Sequence, residues 1–229
     1  MKRDSAIFSD QHIVASWQKN VQPWITAIRA GEIETRQLVT NKAIVDAILS
    51  RAPKSLLDVG CGEGWLVRAL ANRGIDALGI DVVPAFIEFA QKAGAGRFRT
   101  LAYEDMSPAT LNAQFDVVVC NFSLLGHASV HHLFQQVPPL LHAGGALIVQ
   151  TLHPVIACGD EPYADGWRQG SWKGFSDSFT DPAPWYFRTV ESWQALFVQN
   201  GLTLIKVLEP VNPKTNAPAS IIYIGKLAS

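Results

Sequence analysis

Between Leu57 and Trp65 the chain reads Leu-Asp-Val-Gly-Cys-Gly-Glu-Gly-Trp. A short apolar run, Ser55 to Val59, flows into three glycines at alternate positions and then into a helical pattern. Glycine tolerates a tight turn and lets the backbone approach a ligand closely. In open parallel sheets, ligands bind beyond the C-terminal ends of the strands. This stretch therefore narrows the fold to a parallel α/β architecture and marks its binding rim. The downstream pattern agrees. Helical signals at Glu63 to Arg73 and Pro84 to Ala93 alternate with strand signals at Ala77 to Ile80, Phe98 to Ala102 and Phe115 to Cys120. Val130 to Leu141 reads as a helix despite Pro138 and Pro139, and Gly144-Gly145 turns the chain into a strand over Ala146 to Leu152. Short, nearly uniform apolar strands between helices mean a doubly wound, mostly parallel sheet covered on both faces.

The 229 residues suit one domain with appended caps. Residues 1–52 read as an N-terminal helical cap holding Trp17, Val21, Trp24, Ile25 and Ile28, with a break at Pro23. Residues 53–153 form the core. Residues 154–188 form an inserted aromatic segment, expected to be an acceptor lid. Residues 189–229 supply a helix, Val190 to Asn200, and two strands, Leu202 to Leu208 and Ser220 to Leu227, read as an antiparallel hairpin at the sheet edge.

Composition excludes several classes. With 48% hydrophobic and 17% charged residues the chain is too apolar to be disordered. A net charge of -1 and scattered Lys and Arg leave no basic stripe for a nucleic-acid partner. The apolar runs have strand length, so no membrane partner is expected. Met1 to Asp10 lacks the apolar stretch of a secretory signal, and three distant cysteines fit a reducing compartment; a cytoplasmic location is expected.

The glycine loop departs from the dinucleotide pattern. The third glycine of that pattern would fall at Trp65, which is too bulky, and Glu63 would repel a pyrophosphate. No Gly-Lys-Ser/Thr follows, so it is not a phosphate-binding P-loop. A nucleoside without a phosphate chain fits better. Asp81, about twenty residues beyond the loop, ends the second strand, where a carboxylate can accept both ribose hydroxyls. Alternatively it caps the following helix.

These residues together resemble the class I S-adenosylmethionine-dependent methyltransferases of small-molecule type. Leu56-Leu-Asp-Val-Gly-Cys-Gly-Glu-Gly64 resembles their first motif, and Asp81 their acidic residue after the second strand. Phe115-Asp-Val-Val-Val-Cys-Asn-Phe122 and Leu140-Leu-His-Ala-Gly-Gly-Ala-Leu-Ile-Val149 resemble their fourth- and fifth-strand motifs. The resemblance covers about residues 40–153. It implies the Rossmann-like methyltransferase fold and S-adenosyl-L-methionine as cofactor, with S-adenosyl-L-homocysteine as product. The implied cofactor-binding residues are Arg36, Asp58, Gly60, Cys61, Gly62, Asp81, Val82, Tyr103, Glu104, Asp105, Asn121 and Phe122. Asp58, Glu63 and Asp81 suit a ligand bearing a sulfonium and an ammonium. The family's Asp followed by a small residue after the third strand is replaced by Leu101-Ala-Tyr-Glu-Asp-Met106, so the adenine contact falls to the Tyr103 backbone and to Glu104 or Asp105. Arg36 is either the partner of the cofactor carboxylate or a solvated helix charge.

His127 follows the loop after the fourth strand and His153 follows the fifth strand; each is a candidate general base, or only a packing residue. His127 and His131 lie four apart, but with no Glu or Cys pair to complete a zinc pattern no metal is expected. The aromatics from Tyr163 to Phe187 either wall an acceptor or form a small core for a long loop. The expected activity is metal-independent, in-line transfer of a methyl group to an O, N, S or C atom of a small-molecule acceptor. The alternatives are a non-catalytic S-adenosylmethionine-binding regulatory module and a protein side-chain methyltransferase. The sequence does not specify an oligomeric state.

Overall fold

The computed structural model describes residues 7–227, so the first six residues of the expected cap and the last two of the expected C-terminal unit lie outside it. Seven strands form one sheet: β1 (Ser55–Val59), β2 (Asp76–Asp81), β3 (Arg97–Thr100), β4 (Phe115–Asn121), β5 (Leu141–Thr151), β6 (Leu202–Leu208) and β7 (Ile221–Leu227). Their order is β3-β2-β1-β4-β5-β7-β6. The chain winds outward from β1 to β3, then returns to place β4 on the other side of β1. That reversal opens a crevice at the C-terminal ends of β1 and β4. β7 lies between β5 and β6 and runs antiparallel to both.

Strand side chains alternate between the two faces. Leu57, Val59, Val118, Cys120, Leu147 and Val149 turn to one face, under α6 (Ala128–Leu140) and α7 (Val190–Gln199). Leu56, Val117, Val119 and Ile148 turn to the other, under α3 (Asn41–Leu49) and α4 (Trp65–Ala71). This two-sided burial is why the strands read as continuous apolar runs. α5 (Pro84–Ala93) follows β2 and starts with Pro84, whose fixed φ suits a first turn.

Several expected boundaries move. α4 begins at Trp65 rather than Glu63, because Gly64 stands in the left-handed region as its cap. Pro23 does not break the N-terminal helices. α1 (Asp10–Lys19) ends at Asn20, and α2 (Val21–Ala30) carries Pro23 in its first turn, where no intrahelical N–H bond is lost. β3 starts at Arg97 and ends at Thr100, one and two residues earlier than expected at the two ends. β5 starts at Leu141, and Gly144-Gly145 falls in an irregular stretch of its ladder rather than in a separate turn.

Residues 154–188 contain a short helix (Pro154–Ala157) and a ribbon pairing Gly166–Arg168 with Trp185–Phe187. Between the ribbon strands, Trp172, Phe175 and Phe179 form a ring cluster with centroids 4.8–5.7 Å apart. The cluster packs on Trp17 and Trp24 of α1 and α2. Asp181 accepts from Lys19 Nζ at 2.6 Å and contacts His12 Nε2 at 3.1 Å. The buried Asn20 donates to Thr180 O at 2.7 Å and accepts from Thr180 N at 2.9 Å. The two caps expected from the sequence therefore form one roof over the crevice.

Candidate active site

The crevice holds a cavity of about 710 Å³, within the range of small-molecule sites. Its floor is the glycine loop. Gly60 N and Cys61 N donate to Ile80 O at 2.8 and 2.9 Å, which ties the loop to β2. Gly60 has φ +76°, and a Cβ there would stand 2.4 Å from Ser123 Cβ; no other residue fits. Gly62 has φ +54°, and the nearest atom to a Cβ there would be Trp24 Nε1 at 3.9 Å. A side chain at Gly62 would occupy the space a ligand needs.

Asp81 joins loop to turn. Its Oδ2 accepts from Gly62 N and its Oδ1 from Val83 N, both at 2.9 Å. Each carboxylate oxygen keeps a second lone pair for a hydroxyl. The capping role and the ribose role are thus compatible. Asp58 is 2% exposed and its Oδ1 has no partner. Burial, and then the charge of Asp81, push its carboxyl up to about 8. Arg36 opens a π-helical turn (Arg36–Thr40), lies over the rings of Trp65 (5.1 Å) and Trp24 (6.0 Å), and leaves Nη2 unpartnered. Burial lowers its guanidinium to about 10, against the opposing pull of Glu63, and it stays charged at neutral pH. An orphaned buried carboxyl, an orphaned guanidinium and an open glycine cradle together match a nucleoside ligand with an ammonium and a carboxylate.

The structure places Cys61, Val82, Tyr103, Glu104, Asn121 and Phe122 on the cavity wall with these residues. Asn121 Oδ1 is buried without a partner. Phe122 sits at φ +54° beyond β4, a left-handed conformation uncommon for a bulky residue. The Tyr103 side chain is a buttress: its hydroxyl donates to Ser123 O at 3.0 Å beneath Gly60.

Three expectations are corrected. Of the two carboxylates after β3, Glu104 lines the cavity and Asp105 does not. Glu63 is not a free acid of the site, since Arg68 Nη2 pairs with its Oε2 at 2.5 Å. Neither candidate base lines the cavity. His127 is exposed, with its ring against Tyr186 at 4.3 Å and its backbone N–H donated to Asp10. His153 is buried, and its Nε2 meets Glu209 Oε1 at 3.1 Å. Among the described residues no cluster of three or more His, Cys, Asp or Glu stands ready to hold a metal ion. No described helix is long and apolar enough to cross a membrane.

Trp17, Trp24, Phe86, Ser123 and Arg188 also line the cavity and carry no motif. Trp17 and Trp24 stood out in the sequence only as a helical face. Arg188 closes the aromatic run with no spacing signal of its own.

Residues 57–149 match the profile of a family described as a methyltransferase domain. A ubiquinone biosynthesis O-methyltransferase of Xylella fastidiosa is 34% identical over 125 residues, 51% of this chain and 50% of that protein. The chain spans about half the length of that curated relative. An S-adenosylmethionine-dependent methyltransferase from Mesorhizobium loti superposes with a TM-score of 0.61 at 19% identity, over 79% of this chain and 96% of that one. A glycopeptide N-methyltransferase complexed with S-adenosylmethionine superposes at 0.60 and 15% identity, over 76% and 82%. Residues 57–149 thus resemble a methyltransferase domain, and the glycine loop, Asp81 and the strand order agree with that likeness.

Proposed function

We propose that the chain transfers a methyl group from S-adenosylmethionine to a hydroxyl oxygen of a small, partly flat acceptor. The observation that carries this is the make-up of one cavity. It is lined by the glycine cradle, Asp81, Asp58 and Arg36, and also by the rings of Trp185 and Tyr186. The O-methyltransferase name of the Xylella fastidiosa relative supports oxygen as the acceptor atom. The roofed cavity suits a small molecule better than a side chain of a folded protein.

In this reading Asp81 receives the ribose hydroxyls, Arg36 the methionine carboxylate, Asp58 the positive end, and Glu104 the adenine side. The bound cofactor supplies an electrophilic methyl carbon on sulfur. The chain's contribution is to hold the acceptor in line and exclude water under the roof. With neither His127 nor His153 in the cavity, the acceptor proton passes to water.

The test is methyl-labelled cofactor offered with phenols, carboxylates, amines and thiols. Label should enter a phenol as an ether. Label in none of the four classes, or only in amines or thiols, contradicts the reading. On the labelled acceptor, His127→Ala and His153→Ala should each stay within about threefold of the parent rate. A general base would cost roughly 10²–10⁴-fold.

A further inference from the structure

Two arginines line the cavity, and the cofactor carries one carboxylate. Arg36 stands with Trp65 and Trp24 by the glycine loop. Arg188 lies among other elements. It follows the ribbon strand Trp185–Phe187 and is 3% exposed. Its Nη1 donates to Gly126 O at 2.9 Å and its Nη2 to His127 O at 3.2 Å. Its Cζ stands 4.8 Å from the Tyr186 ring centre and 5.1 Å from that of Trp193. Carbonyls and rings orient a guanidinium, but they do not neutralise it. Among the described residues Arg188 forms no ion pair.

Asp10 and Asp165 act on it through space, but neither touches the guanidinium. Asp10 accepts from His127 N and Ser129 N at 2.8 and 2.6 Å, and Asp165 accepts from Thr189 N at 2.9 Å. Burial lowers the Arg188 guanidinium to about 10, so it is still a cation at neutral pH. A buried cation with no carboxylate in contact is unfavourable. Two carbonyls occupy only part of its five-donor fork, and the remaining donors suit a carboxylate.

We propose that Arg188 anchors a carboxylate on the acceptor, so that the substrate is a hydroxylated, flat acid. Its carboxylate rests on Arg188, its body lies along Trp185 and Tyr186, and its hydroxyl takes the methyl group. The acceptor oxygen bonds the methyl carbon as the carbon–sulfur bond breaks; sulfur keeps the electron pair and the hydroxyl proton leaves to water. This rests on the methyltransferase reading above and names its acceptor class.

The experiment measures binding to protein saturated with S-adenosylhomocysteine. The probes are 4-hydroxycinnamate and 4-hydroxyphenylacetate, each against its neutral amide. The acid should bind about ten- to a hundredfold tighter than the amide, the worth of a charged hydrogen-bonded pair. Arg188→Gln should abolish that preference, Arg188→Lys should keep part of it, and both should hold S-adenosylhomocysteine within about twofold of the parent, a margin well under the tenfold that 1.4 kcal/mol represents. Acids binding no tighter than amides to the parent, or neither binding, overturns the proposal whether or not the variants fold. So does a preference that survives in folded Arg188→Gln. If the parent fails to bind S-adenosylhomocysteine, the methyltransferase reading itself falls; if it binds and shows no acid preference, only the acceptor assignment falls.

Discussion

Asp58 gains nothing from the fold around it. Its carboxyl is buried, its Oδ1 is unpaired, and Asp81 repels its charge. In the unfolded chain it ionises near pH 3.9; in the fold it holds its proton to about 8. Its contribution to stability is therefore fully present below about pH 4 and is lost as pH rises to about 8. A cationic ligand reverses this, because it favours the carboxylate. At pH 7, S-adenosylhomocysteine should expel a proton from the parent that Asp58→Asn does not release. Calorimetry in buffers of different ionisation enthalpy reads the difference, and equal proton release would remove Asp58 from the ligand's surroundings. A motif fixes both residue type and position, and Asp58, Gly60, Gly62 and Asp81 stand together on the cavity wall. Residue type alone does not set side-chain direction, and neither His127 nor His153 lines the cavity. One rests on Tyr186 outside the cavity, and the other turns to Glu209.

At the scale of elements, the roof is a joint structure. Asn20 lies between α1 and α2 and bonds both backbone groups of Thr180. Asn20→Ala removes both bonds, at about 0.5–1.5 kcal/mol each, although Thr180 O keeps the indole N–H of Trp172 at 2.9 Å. Urea unfolding should shift by such an amount, and amides of residues 170–182 should exchange faster. Unchanged exchange there would mean the caps are held independently. Trp172 and Phe175 pack on Trp17 and Trp24 beside the glycine loop, so the segment expected to close over the acceptor also reaches the cofactor end. The strands and most helices were legible from periodicity. The docking of residues 172–181 on α1 and α2 was not, because it joins side chains about 160 positions apart that share no pattern.

For the whole molecule, the topology places the chemistry. β1 and β4 are neighbours only because the chain reverses its winding after β3, and the glycine loop and the Asn121–Gly126 loop leave the sheet side by side at that point. The sequence foretold the parallel core through its doubly buried strands and the antiparallel tail through its Pro-rich connector. It did not reveal that β7 slots between β5 and β6, because strand order is decided by packing across the whole sheet. The central claim is that this crevice binds S-adenosylmethionine through the glycine loop and Asp81. Its most direct test is calorimetric titration of S-adenosylhomocysteine into the parent and into an Asp81→Ala protein with a native circular dichroism spectrum. The expected result is one site in the parent and an affinity loss of about 1.5–3 kcal/mol in the variant. A folded Asp81→Ala protein that binds with parental affinity would contradict it.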